Sequence, residues 1–415
     1  MGPKVQASAL DRINRFVVLM LENRSFDHVL GYLRKLNPAI AGMADTDFNY
    51  EDPVGQTRKV LVGRARNTAL SFDPGHEFPD VQQQVRGPAA APAPMSGFIS
   101  SSAGPGGAYA EEVMGCFQAD QLPVLSALAR GYGLANYWYS PMPGPTWPNR
   151  FFAHAATSGG LTESPGTLDS IGGYDFPAGT IYDRLAAKSL GWRVYHGDTP
   201  QIMGIKSIRR HYLNPSRFRS LDKFQRDAAA GDLPEYTFIE PVYDAFNDFS
   251  GGNSMHPLND VARGEQLVKD VYEAMRASRL WMDTMLIVTF DEHGGFYDHL
   301  LPPGATPTGD DTRYATPGRG FRFDRYGVRV PAIVVSAYTS PGTVIGTDAN
   351  AAGAVFDHSS ILATVEKRFG LESLTLRDAG ANTLETFLDL GAARGRDAPA
   401  KLPVVKKISL VTRRL

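Results

Sequence analysis

Short apolar runs along this chain end abruptly at acidic or amide residues, which predicts buried strands with polar tips. Residues 16–21 are continuously apolar and are followed by Glu22 and Asn23. A run of about four to eight apolar residues is typical of a buried strand, and ligands of α/β proteins lie at the carboxyl ends of such strands. Carboxylate and amide oxygens suit a divalent cation. A polar turn that caps the following helix explains the same two residues equally well.

The same transition occurs again further along the chain. Residues 236–239 run into Glu240, and residues 284–290 run into Asp291 and Glu292. Adjacent carboxylates at a strand end repel each other strongly unless a cation lies between them. Because the carboxyl ends of parallel strands meet at one edge of a sheet, the sequence predicts a metal site built from distant segments.

Alternating helical and strand-like segments predict an α/β fold with a doubly wound, mostly parallel sheet and helices on both faces. Strands are expected at 15–21, 192–195, 236–239, 284–290, 330–336 and, as a short C-terminal strand, 404–411. Helices are expected at 27–36, 121–130, 148–157, 180–189, 260–279 and 360–369. The helix at 260–279 is expected to form a right-handed β-α-β unit with paired strands on either side of it.

Composition is that of an ordinary globular protein of 415 residues, with 43% hydrophobic and 21% charged residues. The length suggests about two or three domains. Because the strand tips must meet at one site, residues 1–415 are instead predicted to form a single catalytic domain. Two Gly- and Pro-rich segments, 86–108 and 301–328, are predicted to be loop insertions near the site.

Charge and hydropathy narrow the range of partners. A formal charge of −2 provides no basic field that would attract nucleic acid. No apolar run is long enough to span a bilayer, whereas contact with a membrane surface stays open. The N-terminal segment lacks the apolar core of a signal peptide. The protein is therefore expected in the cytoplasm, or outside it after export without a cleaved signal or with a signal no longer attached. The single Cys116 excludes an internal disulfide.

A rigid turn precedes Thr146, and a helix is predicted to follow it. Gly144 and Pro145 form the turn, and Pro148 suits the first turn of a helix, where a missing N–H has no cost. The Thr146 hydroxyl is therefore expected at a helix N-terminus, where free N–H groups and the helix dipole favour an anion. From these residues alone, a simple helix cap is the commoner explanation.

Four separate motifs in the chain resemble those of one family. They are Glu-Asn-Arg-Ser-Phe-Asp at 22–27, Gly-Pro-Thr-Trp-Pro-Asn-Arg at 144–150, Asp-Glu-His-Gly-Gly-Phe-Tyr-Asp-His at 291–299 and Asp-His-Ser-Ser-Ile at 357–361. They resemble the bacterial phosphoesterase family, which contains the phosphatidylcholine-preferring phospholipases C and the AcpA-type acid phosphatases. The resemblance covers residues 15–371 and implies an alkaline-phosphatase-like fold.

The resemblance also implies one divalent metal ion and a set of catalytic residues. The implied metal ligands are Glu22, Asn23, Thr146, Asp291 and Glu292. Thr146 matches the nucleophile, a position at which the phosphatase branch usually has serine. His76, His196 and His256 match positions that surround the phosphoryl group. Oxygen ligands suit Mg²⁺, Mn²⁺ or Ca²⁺, and related sites also accept transition metals.

The expected reaction is metal-dependent hydrolysis of a phosphoric ester. A neutral threonine hydroxyl is a poor nucleophile, and metal coordination lowers its pKa. Attack by Thr146 gives a phosphothreonine that water then hydrolyses; Asn149 and Arg150 are expected to hold phosphoryl oxygens, and a histidine to protonate the leaving alcohol. The leading substrate is a phospholipid of the phosphatidylcholine type. The alternatives are an acid phosphatase for soluble phosphomonoesters and, third, a phosphate-ligand binding protein without turnover.

Aromatic residues crowd Thr146 along the sequence. They are Tyr137, Trp138, Tyr139 and Trp147. Such rings form cages for quaternary ammonium groups, but they more often belong to an ordinary core. The aromatic residues therefore add little support to choline recognition.

Overall fold

The computed structural model describes residues 8–87, 93–310, 312–348, 354–395 and 397–406. Within these ranges the strands are β1 (Arg15–Leu21), β2 (Phe48–Tyr50), β3 (Lys59–Leu61), β4 (Gly63–Arg64), β5 (Gly115–Cys116), β6 (Gly133–Ala135), β7 (Tyr137–Trp138), β8 (Trp192–His196), β9 (Phe218–Ser220), β10 (Tyr236–Glu240), β11 (Thr284–Phe290), β12 (Ala332–Ser336), β13 (Thr343–Ile345) and β14 (Val355–Phe356).

The helices of the same ranges are α1 (Phe26–Leu30), α2 (Phe78–Arg86), α3 (Phe98–Gly106), α4 (Pro123–Gly131), α5 (Thr146–Ala155), α6 (Thr167–Gly172), α7 (Ile181–Ala187), α8 (Lys206–Arg209), α9 (Phe224–Ala230), α10 (Val261–Ala277), α11 (Ser359–Phe369) and α12 (Leu376–Ala379). Short 3-10 helices lie at Ala9–Arg12, Gly31–Lys35, Gly107–Met114, Gln201–Gly204, Leu221–Lys223, Ala245–Asn247, Trp281–Asp283 and Leu384–Phe387. None of the described helices combines the length and the apolar content that crossing a bilayer requires.

A large central sheet, eight-stranded in the described part of the chain, organises the molecule. Its strand order is β13-β6-β12-β11-β1-β10-β8-β9. Only β12 in this sheet runs against its neighbours; the other pairings are parallel. β11 is buried along its whole length and β1 is buried after its first residue, so both faces of the sheet are covered. The helices pack in two groups, α4, α9 and α10 in one and α5, α7 and α11 in the other. The predicted α/β class and mostly parallel sheet are confirmed.

The predicted β-α-β unit differs from the observed one in a single respect. α10 connects β10 to β11, and the two strands are parallel, but they do not pair with each other. β1 lies between them and pairs with both, aligning Leu19 with Ile239 and Leu21 with Phe290. The direct pairing was therefore a wrong prediction. The central place of β1 puts the tip of this strand at the middle of the carboxyl edge.

The first predicted loop insertion, 86–108, is partly helical. Residues 88–92 lie outside the described range, and α3 occupies 98–106. Phe98 and Ile99 are buried in a small core beside the sheet, and this packing stabilises a helix whose glycines and Pro105 disfavour one. A loop across the whole segment was a wrong prediction. Segment 301–328 contains no helix or strand among its described residues, as expected.

Several element boundaries also differ from expectation. The helix predicted at 27–36 is divided, because α1 ends at Leu30 and a 3-10 helix follows it. β12 begins at Ala332, immediately after Pro331, which has no N–H to donate to a sheet. Residues 404–406 of the predicted C-terminal strand are irregular, and 407–411 lie outside the described range. A contiguous buried core joins residues from Leu10 to Leu402. The single catalytic domain stays a prediction.

Candidate active site

The carboxyl ends of β1 and β11 bring the predicted metal-binding residues side by side. The backbone N–H of Asn23 donates to Asp291 Oδ1 at 2.9 Å, across 268 residues of sequence. The Asn23 side-chain amide donates to the Glu292 carboxylate. Asn23 has a φ of +57°, a left-handed conformation that asparagine tolerates better than most residues. This turn lets the residue after the strand face the neighbouring strand tip.

Thr146 is the first residue of α5 and lies beside the same tips. Pro145 occupies the capping position and provides no side-chain cap. The hydroxyl is therefore not used as a helix cap, which was the commoner explanation from sequence. Thr146 Oγ1 accepts a hydrogen bond from Asn23 Nδ2 at 3.4 Å, and the side chain is only partly buried. The Thr146 hydroxyl thus lies at a helix N-terminus, next to β1 and open to a cavity.

Arg150, one turn later on α5, is fully buried behind Thr146. Its Nε donates to Asp291 Oδ2 at 2.9 Å and its Nη2 donates to the Leu21 carbonyl at 3.1 Å. Nη1 is buried without a hydrogen-bond partner among the described residues. Arg150 therefore fixes α5 to both strand tips and keeps one donor unused.

Asn149 has a different position from the one that its predicted role requires. Its Oδ1 accepts from the Met142 N–H at 3.0 Å, and its Nδ2 donates to the carbonyls of Gly144 and Pro145 at 2.8 and 3.0 Å. The amide is fully engaged with the turn before Thr146. Asn149 thus holds that turn in place, which corrects the predicted contact with phosphoryl oxygens.

Two buried oxygen atoms at the strand tips lack partners. Glu22 Oε2 and Asn23 Oδ1 make no hydrogen bond with any described residue. Burial raises the pKa of Glu22 to about 8; Arg150 opposes this rise, and the nearby Asp291 and Glu292 carboxylates add to it. An unpaired buried carboxylate is costly, and a cation removes that cost. The oxygen-only donor set and the two unused oxygens fit a hard divalent cation.

His76 and His256 lie on either side of Asp73, at the entrance to this arrangement. His256 Nε2 is 3.6 Å from Asp73 Oδ2, and His76 Nδ1 is 3.9 Å from Asp73 Oδ1. Burial alone would lower the pKa of His76, but the Glu292 and Asp73 carboxylates and the Pro74 carbonyl outweigh it and raise the pKa to about 9. Burial, His76 and Arg24 hold the pKa of His256 well below its usual value. The nearby carboxylates therefore favour the charged form of His76, whereas burial favours the neutral form of His256.

His196 does not join this pair. It ends β8, which is separated from β1 by β10, and it is not among the described residues that line the cavity. Its Nδ1 bonds to the Asp198 carbonyl at 2.7 Å, and its ring packs near Tyr212 and Phe218. The predicted place of His196 around the phosphoryl group is therefore corrected, because its strand lies too far along the sheet.

Glu240 also ends a strand without joining the predicted metal ligands. Its carboxylate accepts the N–H groups of Gln201 and Ile202 at 2.7 and 3.1 Å, and the Tyr243 hydroxyl at 2.6 Å. This carboxylate is satisfied and needs no cation. Tyr243 itself lines the cavity, with its ring centroid 5.2 Å from the Arg150 guanidinium carbon.

The strand tips open into a cavity of about 930 Å³, within the size range of small-molecule sites. Its lining includes Glu22, Asp73, His76, Thr146, Tyr243 and His256. Sequence reasoning missed Asp73 and Tyr243. The turn Asp73-Pro74-Gly75-His76 was the available signal for Asp73, and no local pattern marks Tyr243. Of the four predicted aromatic residues, three are buried in the core and only Trp147 lines the cavity.

A second acidic cluster lies behind the site and is already neutralised. Asp27, Asp298 and His299 place one ligand atom each within 4.8 Å of one another. The fully buried Arg329 donates to Asp298 Oδ1 and Oδ2 at 3.0 Å each and to Asp27 Oδ1 at 3.3 Å. His299 Nδ1 lies 2.6 Å from Asp27 Oδ2. This network joins the segment after β1 to the segment after β11, and the charge of the guanidinium offsets the two carboxylates.

The chain is similar in sequence to several known proteins. A sequence model of the Phosphoesterase family matches residues 13–372. Non-specific phospholipase C6 of Arabidopsis thaliana is 39% identical over 404 residues, which cover 95% of this chain and 75% of that protein. Non-hemolytic phospholipase C of Pseudomonas aeruginosa is 27% identical, covering 87% of this chain and 54% of that protein. A crystal structure of a protein in the alkaline phosphatase superfamily from Vibrio parahaemolyticus aligns with a TM-score of 0.34 at 15% identity, over 66% of this chain and 65% of that one. At this TM-score and identity, the likeness supports no conclusion about the function of this chain.

Proposed function

Since this chain belongs to the Phosphoesterase family, we propose that it hydrolyses phosphoric esters as a phospholipase C, with phosphatidylcholine-like phosphodiesters as substrates. One observation carries this proposal. The Thr146 hydroxyl lies at the N-terminus of α5, beside buried oxygens of Glu22 and Asn23 that have no partner in the described structure. A nucleophile, an anion-binding helix end and unfilled cation ligands are together the parts that phosphoryl transfer requires.

The proposed reaction has two displacements at phosphorus. Thr146 Oγ1 forms a bond to phosphorus as the bond to the leaving alcohol breaks, and the threonine proton passes to His256, which gives a phosphothreonine that still carries the head group. His76, whose charged form is favoured by the neighbouring Asp73 carboxylate, protonates the leaving oxygen. The unused Nη1 of Arg150 and the N–H groups at the start of α5 bind phosphoryl oxygens. Water then attacks phosphorus and gives its proton to His76, the bond from phosphorus to Thr146 Oγ1 breaks, and His256 returns the proton that it took from the threonine hydroxyl.

One divalent metal ion belongs to this proposal. Its ligands would be Glu22, Asn23, Thr146, Asp291 and Glu292. When bound, the ion lowers the pKa of the threonine hydroxyl and offsets charge on the phosphoryl oxygens. The donor set suits Mg²⁺, Mn²⁺ or Ca²⁺, and a transition metal also fits it.

Replacing Glu22 by glutamine is expected to weaken metal binding by at least about tenfold, because the only charged ligand on β1 is lost. The measurement is calorimetric titration of chelator-treated protein with Mg²⁺, Mn²⁺ and Ca²⁺ separately. A second measurement is the rise in Tm on adding metal, since a ligand present at about 100 times its Kd stabilises the native state by about 2.7 kcal/mol. The exposed Glu372→Gln variant is the matched control. Equal metal affinity in both variants would remove Glu22 from the ligand set.

The substrate class is tested by comparing two hydrolyses with the same metal-loaded protein. Release of phosphocholine from phosphatidylcholine should be faster, in kcat/KM, than hydrolysis of a soluble aryl phosphate monoester. The reverse order, with no action on lipid, would make the protein an acid phosphatase. Metal binding without hydrolysis of either ester would make it a phosphate-ligand binding protein. Both outcomes contradict the phospholipase C proposal, and they are distinguished from each other.

A further inference from the structure

Three large apolar side chains stand in solvent beside the mouth of the active-site cavity. Leu168 and Ile171 of α6 are 83% and 65% exposed, and Phe246 of the 3-10 helix Ala245–Asn247 is 99% exposed. Ile171 and Phe246 also line the cavity, so the exposed group is continuous with the site. Leu168 is three residues before Ile171 and therefore lies on the same face of α6. We call Leu168, Ile171 and Phe246 the apolar rim.

The apolar rim is carried by backbone that is tied to the cavity wall. Arg209, which lines the cavity, donates to the Ile171 carbonyl at 2.6 Å and to the Gly172 carbonyl at 3.1 Å. On the other side, Asp198 accepts the N–H of Asp244 at 2.7 Å, just before the 3-10 helix that bears Phe246. The exposed side chains are thus held outwards by a fixed support. Single exposed apolar residues are normal, but a supported group at one opening marks a binding surface.

Charged residues around the apolar rim carry both signs. Lys206 pairs with Asp175 at 3.0 Å, and both side chains are about half exposed. Arg210 is exposed and lies 3.7 Å from Asp183, and the exposed Asp248 follows the 3-10 helix of Phe246. A surface with charges of both signs matches the paired charges of zwitterionic headgroups. It offers no single-sign field for a strongly charged partner.

We propose that the apolar rim inserts into the surface of a zwitterionic phospholipid layer and holds the cavity mouth against it. This inference rests on the proposed phospholipase C function. Side chains of this type gain free energy when they leave water for the acyl boundary of a lipid layer. With the mouth held there, a headgroup reaches Thr146 through the cavity while its acyl chains stay in the layer. The rim therefore determines how efficiently the enzyme acts on lipid layers, whereas the chemistry at Thr146 is independent of it.

The test is sedimentation with phosphatidylcholine vesicles, using proteins that carry Thr146→Ala so that the lipid stays intact. The Leu168→Ser/Phe246→Ser double variant should bind vesicles at least about tenfold more weakly, since each change removes one large apolar side chain from the interface. Val404→Ser is the matched control, because Val404 is 83% exposed and does not line the cavity. Equal vesicle binding in the double variant and the control would overturn the proposal.

A second measurement separates failure of the rim from failure of the proposed function. With Thr146 restored, the double variant should lose more activity on vesicles than on a short-chain phosphatidylcholine below its micellar concentration. Equal losses on both substrates would overturn the rim proposal while leaving the function intact. A wild-type protein that hydrolyses no ester would overturn the function, and vesicle binding would still decide the role of the rim. A wild-type dimer that the double variant abolishes, without vesicle binding, would assign the rim to a second copy of this chain.

Discussion

Replacing Thr146 by alanine is expected to lower kcat by at least about a hundredfold while leaving the fold intact. Losing a single contact to the reacting phosphoryl group costs about 3 kcal/mol, and a lost nucleophile costs at least as much. At about 1.4 kcal/mol for each tenfold change, this is a loss of more than two orders of magnitude. The measurement is steady-state hydrolysis of phosphatidylcholine by metal-loaded protein.

The fold should tolerate this change because the hydroxyl makes few contacts that stabilise the native state. Pro145 occupies the capping position of α5, and Thr146 Oγ1 has one long hydrogen bond, 3.4 Å from Asn23 Nδ2. The free energy of unfolding should therefore change by less than about 1 kcal/mol. Thr146→Ser keeps the hydroxyl and is the matched control for activity. Acid quenching during turnover should trap phosphocholine on position 146 in wild-type protein and in the serine variant. Near-normal kcat in Thr146→Ala would remove it as the nucleophile.

Replacing Arg329 by methionine is expected to destabilise the protein by about 3–5 kcal/mol, the usual cost of removing one partner from a buried ion pair. Arg329 and the carboxylates of Asp27 and Asp298 are all fully buried. Without the guanidinium, two acidic groups face each other with only the His299 ring to offset their charge. Urea unfolding monitored by circular dichroism gives the change.

An exposed arginine provides the control for this prediction. Arg322 pairs with Asp324 at 3.0 Å, but its side chain is 82% exposed. Arg322→Met should therefore change the free energy of unfolding by less than about 1 kcal/mol, as is usual for surface pairs. Equal losses in the two variants would contradict a structural role for the buried network. Specific rescue of Arg329→Met by high Mg²⁺ would instead indicate that Asp27 and Asp298 can bind a cation.

Local sequence patterns were sufficient for the main strands and for the polar residues that follow their ends. An apolar run reports burial directly, because a strand covered on both faces tolerates only apolar side chains. β1 and β11 were therefore predicted within one residue of their observed bounds. Pro145 restricts the backbone before α5, which begins at Thr146, two residues before the predicted start. These features depend on residues that are close together in the sequence, so a local pattern is enough to predict them.

Which strand tips meet was decided by the tertiary structure alone. Glu22, Glu240 and Asp291 each follow an apolar run, and their local patterns are alike. Only the strand order places β1 beside β11 and turns the Glu240 carboxylate towards backbone N–H groups. His196 was misassigned for the same reason, because β8 lies beyond β10. Pairing between distant strands depends on long-range contacts, and a short sequence segment does not show which strand will lie beside it.

Packing between distant segments also positions the other residues that line the candidate site. Asp73 is placed between two histidines by a loop, and Tyr243 reaches the cavity from the end of β10. Helix α3 is stabilised by the packing of Phe98 and Ile99 in the small core beside the sheet. The sequence by itself determined the strands and the chemistry at their ends, because both are local properties. Only the tertiary structure decided which of those ends share a site, since that depends on the order in which distant strands pair.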